Sequence, residues 1–140
     1  MKVVVDTNIV VSSYIVQNGK PARVLNYWKN KAFDLVVSEP LLVEYEEVLK
    51  YTRIRKRHLM TDKEIAKLIE DFREFAILIE PSMTLTIISD DPDDNRVLEC
   101  AEEGGAEYII SGDPDILDLK EYKGIQILSP STFLLVLKEI

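Results

Sequence analysis

Apolar residues along the chain fall into short solid runs and longer helical stripes, and the alternation of the two predicts the architecture. Val3, Val4 and Val5 form a β-branched run without a polar interruption, as expected of a strand buried on both faces. The run ends on Asp6, and apolar residues resume at helical spacing over 9–16. Gly19 and Pro21 punctuate the end of that helix, and a second is predicted over 21–31, with Val24, Leu25, Tyr27 and Trp28 apolar. Residues 33–37 predict a strand. Ser38 then caps a helix running to about residue 51, with Pro40 tolerated in its first turn. Residues 53–58 show no apolar pattern and read as a basic connection. Thr61 and Glu64 form a capping box ahead of the stripe Ile65, Leu68, Ile69, Phe72, Phe75 and Ala76.

The second half repeats the alternation. Residues 77–79 and 85–88 are short strand-like runs. Asp91-Pro92 opens a helix with Val97, Leu98 and Ala101 on one face, which stops at Gly104-Gly105. A strand over 108–110 ends in Ser111-Gly112-Asp113, Pro114 starts a short helix, a last strand covers 125–128, and Ser129-Pro130 opens a C-terminal apolar helix. Strands alternating with helices predict βαβ units and a mainly parallel sheet covered on both faces. The chain shows no internal repeat, low-complexity tract or linker, so a single domain over 1–140 is expected.

Composition narrows the class. The 140 residues are 46% hydrophobic and 30% charged, which suits a soluble folded domain. Seventeen basic residues against 25 acidic give a net charge of −8, so any nucleic-acid role needs a local basic patch. The only candidate is the block Lys50, Arg53, Arg55, Lys56 and Arg57. One cysteine, Cys100, and one histidine, His58, exclude an internal disulfide and argue against a Cys/His zinc site. Cys100 lies three residues from Val97 and reads as a small buried residue. With no signal-peptide pattern and no membrane-length apolar stretch, a cytoplasmic protein is expected.

Four acids stand out by position. Asp6 and Asp113 directly follow predicted strands, so a parallel sheet puts both at one edge, the edge where open α/β sheets bind ligands. Asp94 precedes Val97 and Leu98 by three and four residues, on the core-facing side of its helix. Glu44 lies at the flank of the apolar stripe of its helix, whereas Glu47 lies nearer the opposite side. Capping competes with function at each position. Asp91, Asp93 and Asp113 fit a helix N-terminus, and Asp94 is evenly balanced. Asp6 is expected to be functional, because Thr7 and Asn8 are there to cap. Asp115 reads either as a first-turn charge or as an outer ligand. Converging carboxylates repel one another unless a cation neutralises them, and oxygen ligands select Mg²⁺ or Mn²⁺. Such a site suits phosphodiester hydrolysis without histidine or cysteine.

The motifs D-T-N (Asp6, Thr7, Asn8), S-E-P-L-L-V-E-Y-E-E-V-L with Glu44, D-P-D-D-N-R-V-L-E-C-A with Asp94 and Asn95, and Y-I-I-S-G-D-P-D-I-L with Asp113 and Asp115 together resemble the PIN-domain nucleases. The resemblance covers essentially the whole chain and is nearest to the toxin branch of toxin–antitoxin pairs. It implies a three-layer α/β/α sandwich around a five-stranded, mostly parallel sheet. It also implies an endoribonuclease dependent on Mg²⁺ or Mn²⁺, with its site at Asp6, Glu44, Asp94 and Asp113. Thr7 or Ser111 would supply a hydroxyl, and Asn8 would shape the site. Ser111 stands where a threonine is frequent, which keeps the hydroxyl. A homodimer, an RNA substrate and a cognate antitoxin follow from the same resemblance.

On that reading Arg53, Arg55, Lys56 and Arg57 face the RNA backbone, with a solvated loop as the competing reading, and Tyr51 and His58 are candidates for base stacking. Haloacid-dehalogenase-like phosphohydrolases also carry an aspartate after the first strand, but they want a second acid where this chain has Asn8. A receiver-type phosphoacceptor wants an acidic pair that Asp6 does not provide. A non-catalytic PIN-like scaffold holding a structural ion remains a third alternative.

Overall fold

The computed structural model describes residues 1–80 and 92–138, the side chains of 92–94 excepted; the strand expected over 85–88 and the capping residue Asp91 lie outside them. Its elements are β1 (Lys2–Val5), α1 (Thr7–Ile15), α2 (Lys20–Lys29), β2 (Asp34–Ser38), α3 (Glu39–Leu49), α4 (Thr52–His58), α5 (Asp62–Phe75), β3 (Ile77–Ile79), α6 (Pro92–Glu103), β4 (Tyr108–Ile110), α7 (Pro114–Leu117), β5 (Glu121–Tyr122), β6 (Ile125–Leu128) and α8 (Pro130–Lys138).

Among the described residues one sheet has the order β3-β2-β1-β4-β6-β5. The first five of these strands pair in parallel, and β5 joins β6 antiparallel at the edge. The expected five-stranded sheet has six strands among the described residues. The extra strand is two residues long, too short to leave a periodic signal. It is set by backbone turns, with Lys120, Lys123 and Gly124 all at positive φ around it.

Val3, Val4 and Val5 are each 0% exposed. Successive strand side chains point to opposite faces, so both faces of β1 are covered. Helix α6 packs on β1, β2 and β4, while α1 packs on α2 and α3, and α8 on α2 and β6. Packing is tight at the end of α6. A Cβ on Gly104 would stand 2.5 Å from Val36 Cγ1 and 2.8 Å from the Cys100 carbonyl oxygen. Gly104→Ala is expected to destabilise by about 1–3 kcal/mol through overpacking. Thermal unfolding checks this, and an unchanged midpoint would mean that α6 simply lifts from β2. Cys100, on the same helix, is buried with its Sγ 3.8 Å from the Val36 carbonyl oxygen, and burial pushes its thiol up to about 12.

The second hydrophobic layer gathers around Phe72. Its ring stacks on Trp28 at 5.4 Å and meets Tyr45 at 5.6 Å, joining α5 to α2 and α3. Helix α5 carries the expected capping box, with Thr61 and Glu64 bonding each other's backbone amides. Its stripe ends one turn early, however: Phe75 is 68% exposed rather than in the core.

Residues 53–58 are helical, not a connection. Arg and Lys have good intrinsic helix propensity, and one apolar residue, Ile54, suffices where a seven-residue helix only rests on its neighbours. Helix α4 packs on α1 and α3. His58 closes it: Nδ1 accepts from the Met60 amide at 2.9 Å, and Nε2 lies 2.8 Å from the Leu49 carbonyl oxygen. An accepting Nδ1 makes Nε2 the protonated nitrogen, so the second contact is a donated hydrogen bond. Leu59 then turns the chain with φ 60°.

Candidate functional site: an acidic cleft at the strand ends

The strand order runs outward from β1 through β2 to β3 on one side, and through β4 to β6 on the other. The C-terminal ends of β1 and β4 therefore flank a topological switch point, where a crevice opens in sheets of this kind. The register pairs Val3 with Tyr108, Val4 with Ile109 and Val5 with Ile110. One step further, the Asp6 amide donates to the Ile110 carbonyl at 2.8 Å. That step brings Ser111 beside Asp6, and Ser111 Oγ donates to Asp6 Oδ2 at 2.7 Å.

Asp6 is only 7% exposed. It also caps α1, its Oδ1 accepting from the Thr7 amide at 2.7 Å. The expectation that Thr7 or Asn8 would cap is thus corrected. The chain passes from strand to helix with no spare residue, so the cap falls on Asp6 itself. Thr7 instead donates its hydroxyl to Glu44 Oε2.

Glu44 is carried by α3, whose N-terminus is set by Ser38 at the end of β2: the Ser38 hydroxyl accepts from the Leu41 amide at 3.3 Å. Glu44 is 6% exposed, on the inward side as its position in the stripe predicts, and Glu47 is exposed. Its neighbour Tyr45 donates to the Val5 carbonyl at 2.5 Å, a contact the sequence reading did not single out. Burial above all, then Cys100, Asp6 and Glu44, hold the Tyr45 phenol well above its usual range. It stays a donor, pinning α3 to the last residue of β1.

Asp113 caps α7, accepting from the Asp115 amide at 2.9 Å, while its own amide donates to Ser111 Oγ at 3.0 Å. Ser111 therefore links the two strand-end acids. Asn8 is exposed on the first turn of α1, and its Oδ1 accepts from the Gly112 amide at 3.4 Å. Asp115 is exposed. Asn95 is buried within α6, one turn before Glu99, which is buried and paired with Arg96 at 3.1 Å. The sequence reading did not pick out Glu99; its signal is the four-residue spacing from Asn95 on one helix face. The Asp94 side chain lies outside the described residues.

Asp6, Glu44 and Asp113 open on one cleft of about 330 Å³, together with Thr7, Asn8 and Arg57 and an aliphatic wall of Val11, Ile15, Val48 and Ile54. The donor set is carboxylate and hydroxyl oxygen throughout, which fits a hard divalent cation. Among the described residues, no three His, Cys, Asp or Glu side chains form a group able to hold a metal ion by themselves.

The basic block divides. Arg57 reaches the cleft, whereas Arg55 pairs with Asp62 at 2.6 Å and Lys50 with Glu46 at 3.2 Å. Arg53, Lys56 and Tyr51 are exposed. His58, a candidate for base stacking, has both ring nitrogens engaged in closing α4.

A family model for the PIN domain matches residues 2–115. The chain belongs to the PIN-domain family. This PIN domain is also 30% identical over 121 residues to MJ1680, an uncharacterized protein of Methanocaldococcus jannaschii, spanning 86% of this chain and 76% of the relative. Among solved structures it is similar to PAE2754 from Pyrobaculum aerophilum, with a TM-score of 0.65 at 15% identity, covering 100% of this chain and 91% of that one. It is likewise similar to VapBC2 from Rickettsia felis, a structure bound to a DNA fragment from their promoter. There the TM-score is 0.62 at 14% identity, covering 92% of this chain and 98% of that one. At such identities the two structures show a shared fold. No helix among the described residues of this PIN domain is long and apolar enough to cross a membrane.

Proposed function

We propose that this PIN domain is an endoribonuclease dependent on Mg²⁺ or Mn²⁺, with Asp6, Glu44, Asp94 and Asp113 as its metal-binding acids. The observation that carries the reading is the convergence of Asp6, Glu44 and Asp113 on one cleft at the switch point of the sheet. Asp94 joins them by its motif alone. Two of the acids are buried, a costly placement that folded domains reserve for charges with partners.

The chain's own residues prepare the site. Ser111 Oγ and the Thr7 amide fix the two oxygens of Asp6, and the Thr7 hydroxyl fixes Glu44, so little reorganisation is needed when substrate arrives. These donors leave further lone pairs on each carboxylate for a cation. A bound divalent cation supplies Lewis acidity toward the phosphate and a lowered pKa for the attacking water. Asn8 and Asp115 shape the rim, and Asn95 supports the α6 side. Arg53, Lys56 and Arg57 raise the local positive potential of an otherwise acidic chain, while the charge of Arg55 is offset by Asp62.

The toxin role, a cognate antitoxin and a homodimer are parts of the same proposal, supported by the motif resemblance and by the fold shared with VapBC2 of Rickettsia felis. Purified protein with Mn²⁺ is expected to cut a single-stranded RNA panel internally, and EDTA to abolish cutting. Cleavage that persists in EDTA would overturn the metal-dependent reading. Turnover of small phosphomonoesters through an aspartyl-phosphate would favour the phosphohydrolase alternative.

A further inference from the structure

Resting on the nuclease reading, we propose that Arg57 is the substrate-positioning residue of this cleft, its guanidinium holding an RNA phosphate beside the carboxylates. Of the basic block, Arg57 alone shares the cleft with Asp6, Glu44 and Asp113. The neighbouring guanidinium of Arg55 is committed to Asp62 at 2.6 Å. Among the described residues Arg57 has no ion-pair partner, so it is not the resident counter-ion of the acids beside it.

Its position is fixed from both sides. Helix α4 rests on α1 and α3, which carry Thr7 and Glu44. Directly after Arg57, the His58 ring ties the helix end to the Leu49 carbonyl oxygen and the Met60 amide. Ile54, one turn earlier, lies on the same side of α4 as Arg57 and contributes to the aliphatic wall of the cleft. The helix macrodipole accounts for basic residues in the last turn of α4, but not for which of them faces the acids. Arginine suits the task, because its planar fork matches two phosphate oxygens at once.

The test compares Arg57→Ala, Arg57→Lys and Arg23→Ala, the last removing the same charge from an exposed position on α2 outside the cleft. The probe is a fluorescein-labelled single-stranded RNA 12-mer. Its affinity is read by anisotropy in EDTA across a salt series, and KM and kcat are read with Mn²⁺. Arg57→Ala is expected to weaken binding about tenfold and to reduce the slope of log K against log salt by about 0.7, the share of one phosphate contact on a single strand. KM should rise with kcat nearly kept, and Arg57→Lys should recover part of the affinity. Wild-type protein that cuts the 12-mer while Arg57→Ala matches Arg23→Ala in affinity, slope and KM overturns this assignment alone. Wild-type protein that neither binds nor cuts RNA overturns the nuclease reading and this assignment together.

Discussion

Asp6→Asn is expected to lower metal-dependent RNA cleavage about a thousandfold, the scale of losing a principal electrostatic contact in an active site. Fold stability should barely change. Asn caps a helix as well as Asp does, and its remaining oxygen can still accept from the Thr7 amide. The new amide group would face Ser111 Oγ, a hydroxyl that can turn to accept. The substitution therefore separates the capping of α1 by Asp6 from its proposed role in binding a cation. Cleavage assays paired with thermal unfolding read both at once. An Asp6→Asn protein that is fully folded and still cuts would remove Asp6 from the site.

Phe72→Ala is expected to cost about 3–5 kcal/mol, the usual penalty for emptying a buried aromatic site. That is a large fraction of the roughly 5–15 kcal/mol that holds an ordinary domain together. The ring is 1% exposed, lies between Trp28 and Tyr45, and joins three helices. Its loss should also loosen Tyr45, whose hydroxyl ties α3 to the Val5 carbonyl next to Asp6. Denaturant unfolding measures the first effect. A loss below about 1 kcal/mol would show that α2 and α3 close over the gap. Activity should fall even where the protein remains folded, because Glu44 rides on the same helix as Tyr45.

What the sequence showed and hid follows from the range of the forces involved. β1 was legible because three consecutive valines have no other economical reading, and Glu44 because it flanks a clear stripe on α3. The capping box of α5 is a local motif and forms as written. Helix α4 was not legible. Its single apolar residue gives no period, and it is held by packing on α1 and α3 and by a histidine reaching back nine residues to Leu49. β5 was missed for a related reason, since two residues pairing across a tight turn carry no pattern. At the site, sequence position indicated which acids share the strand-end edge. It did not indicate that Asp6 would cap its own helix, or that Ser111 would bridge Asp6 and Asp113. Those contacts depend on the register between β1 and β4, which no local window contains.

The central place of β1 has a consequence for biosynthesis. The strand that seats Asp6 is made well before its partner β4 and the bridging Ser111, which lie more than a hundred positions downstream. Pairing so distant in the chain comes late and slowly during folding. A nascent chain that has not yet reached Ser111 therefore carries Asp6 without the neighbour that orients it. An activity directed at RNA would remain latent until β4 and Ser111 have been added and have paired with β1.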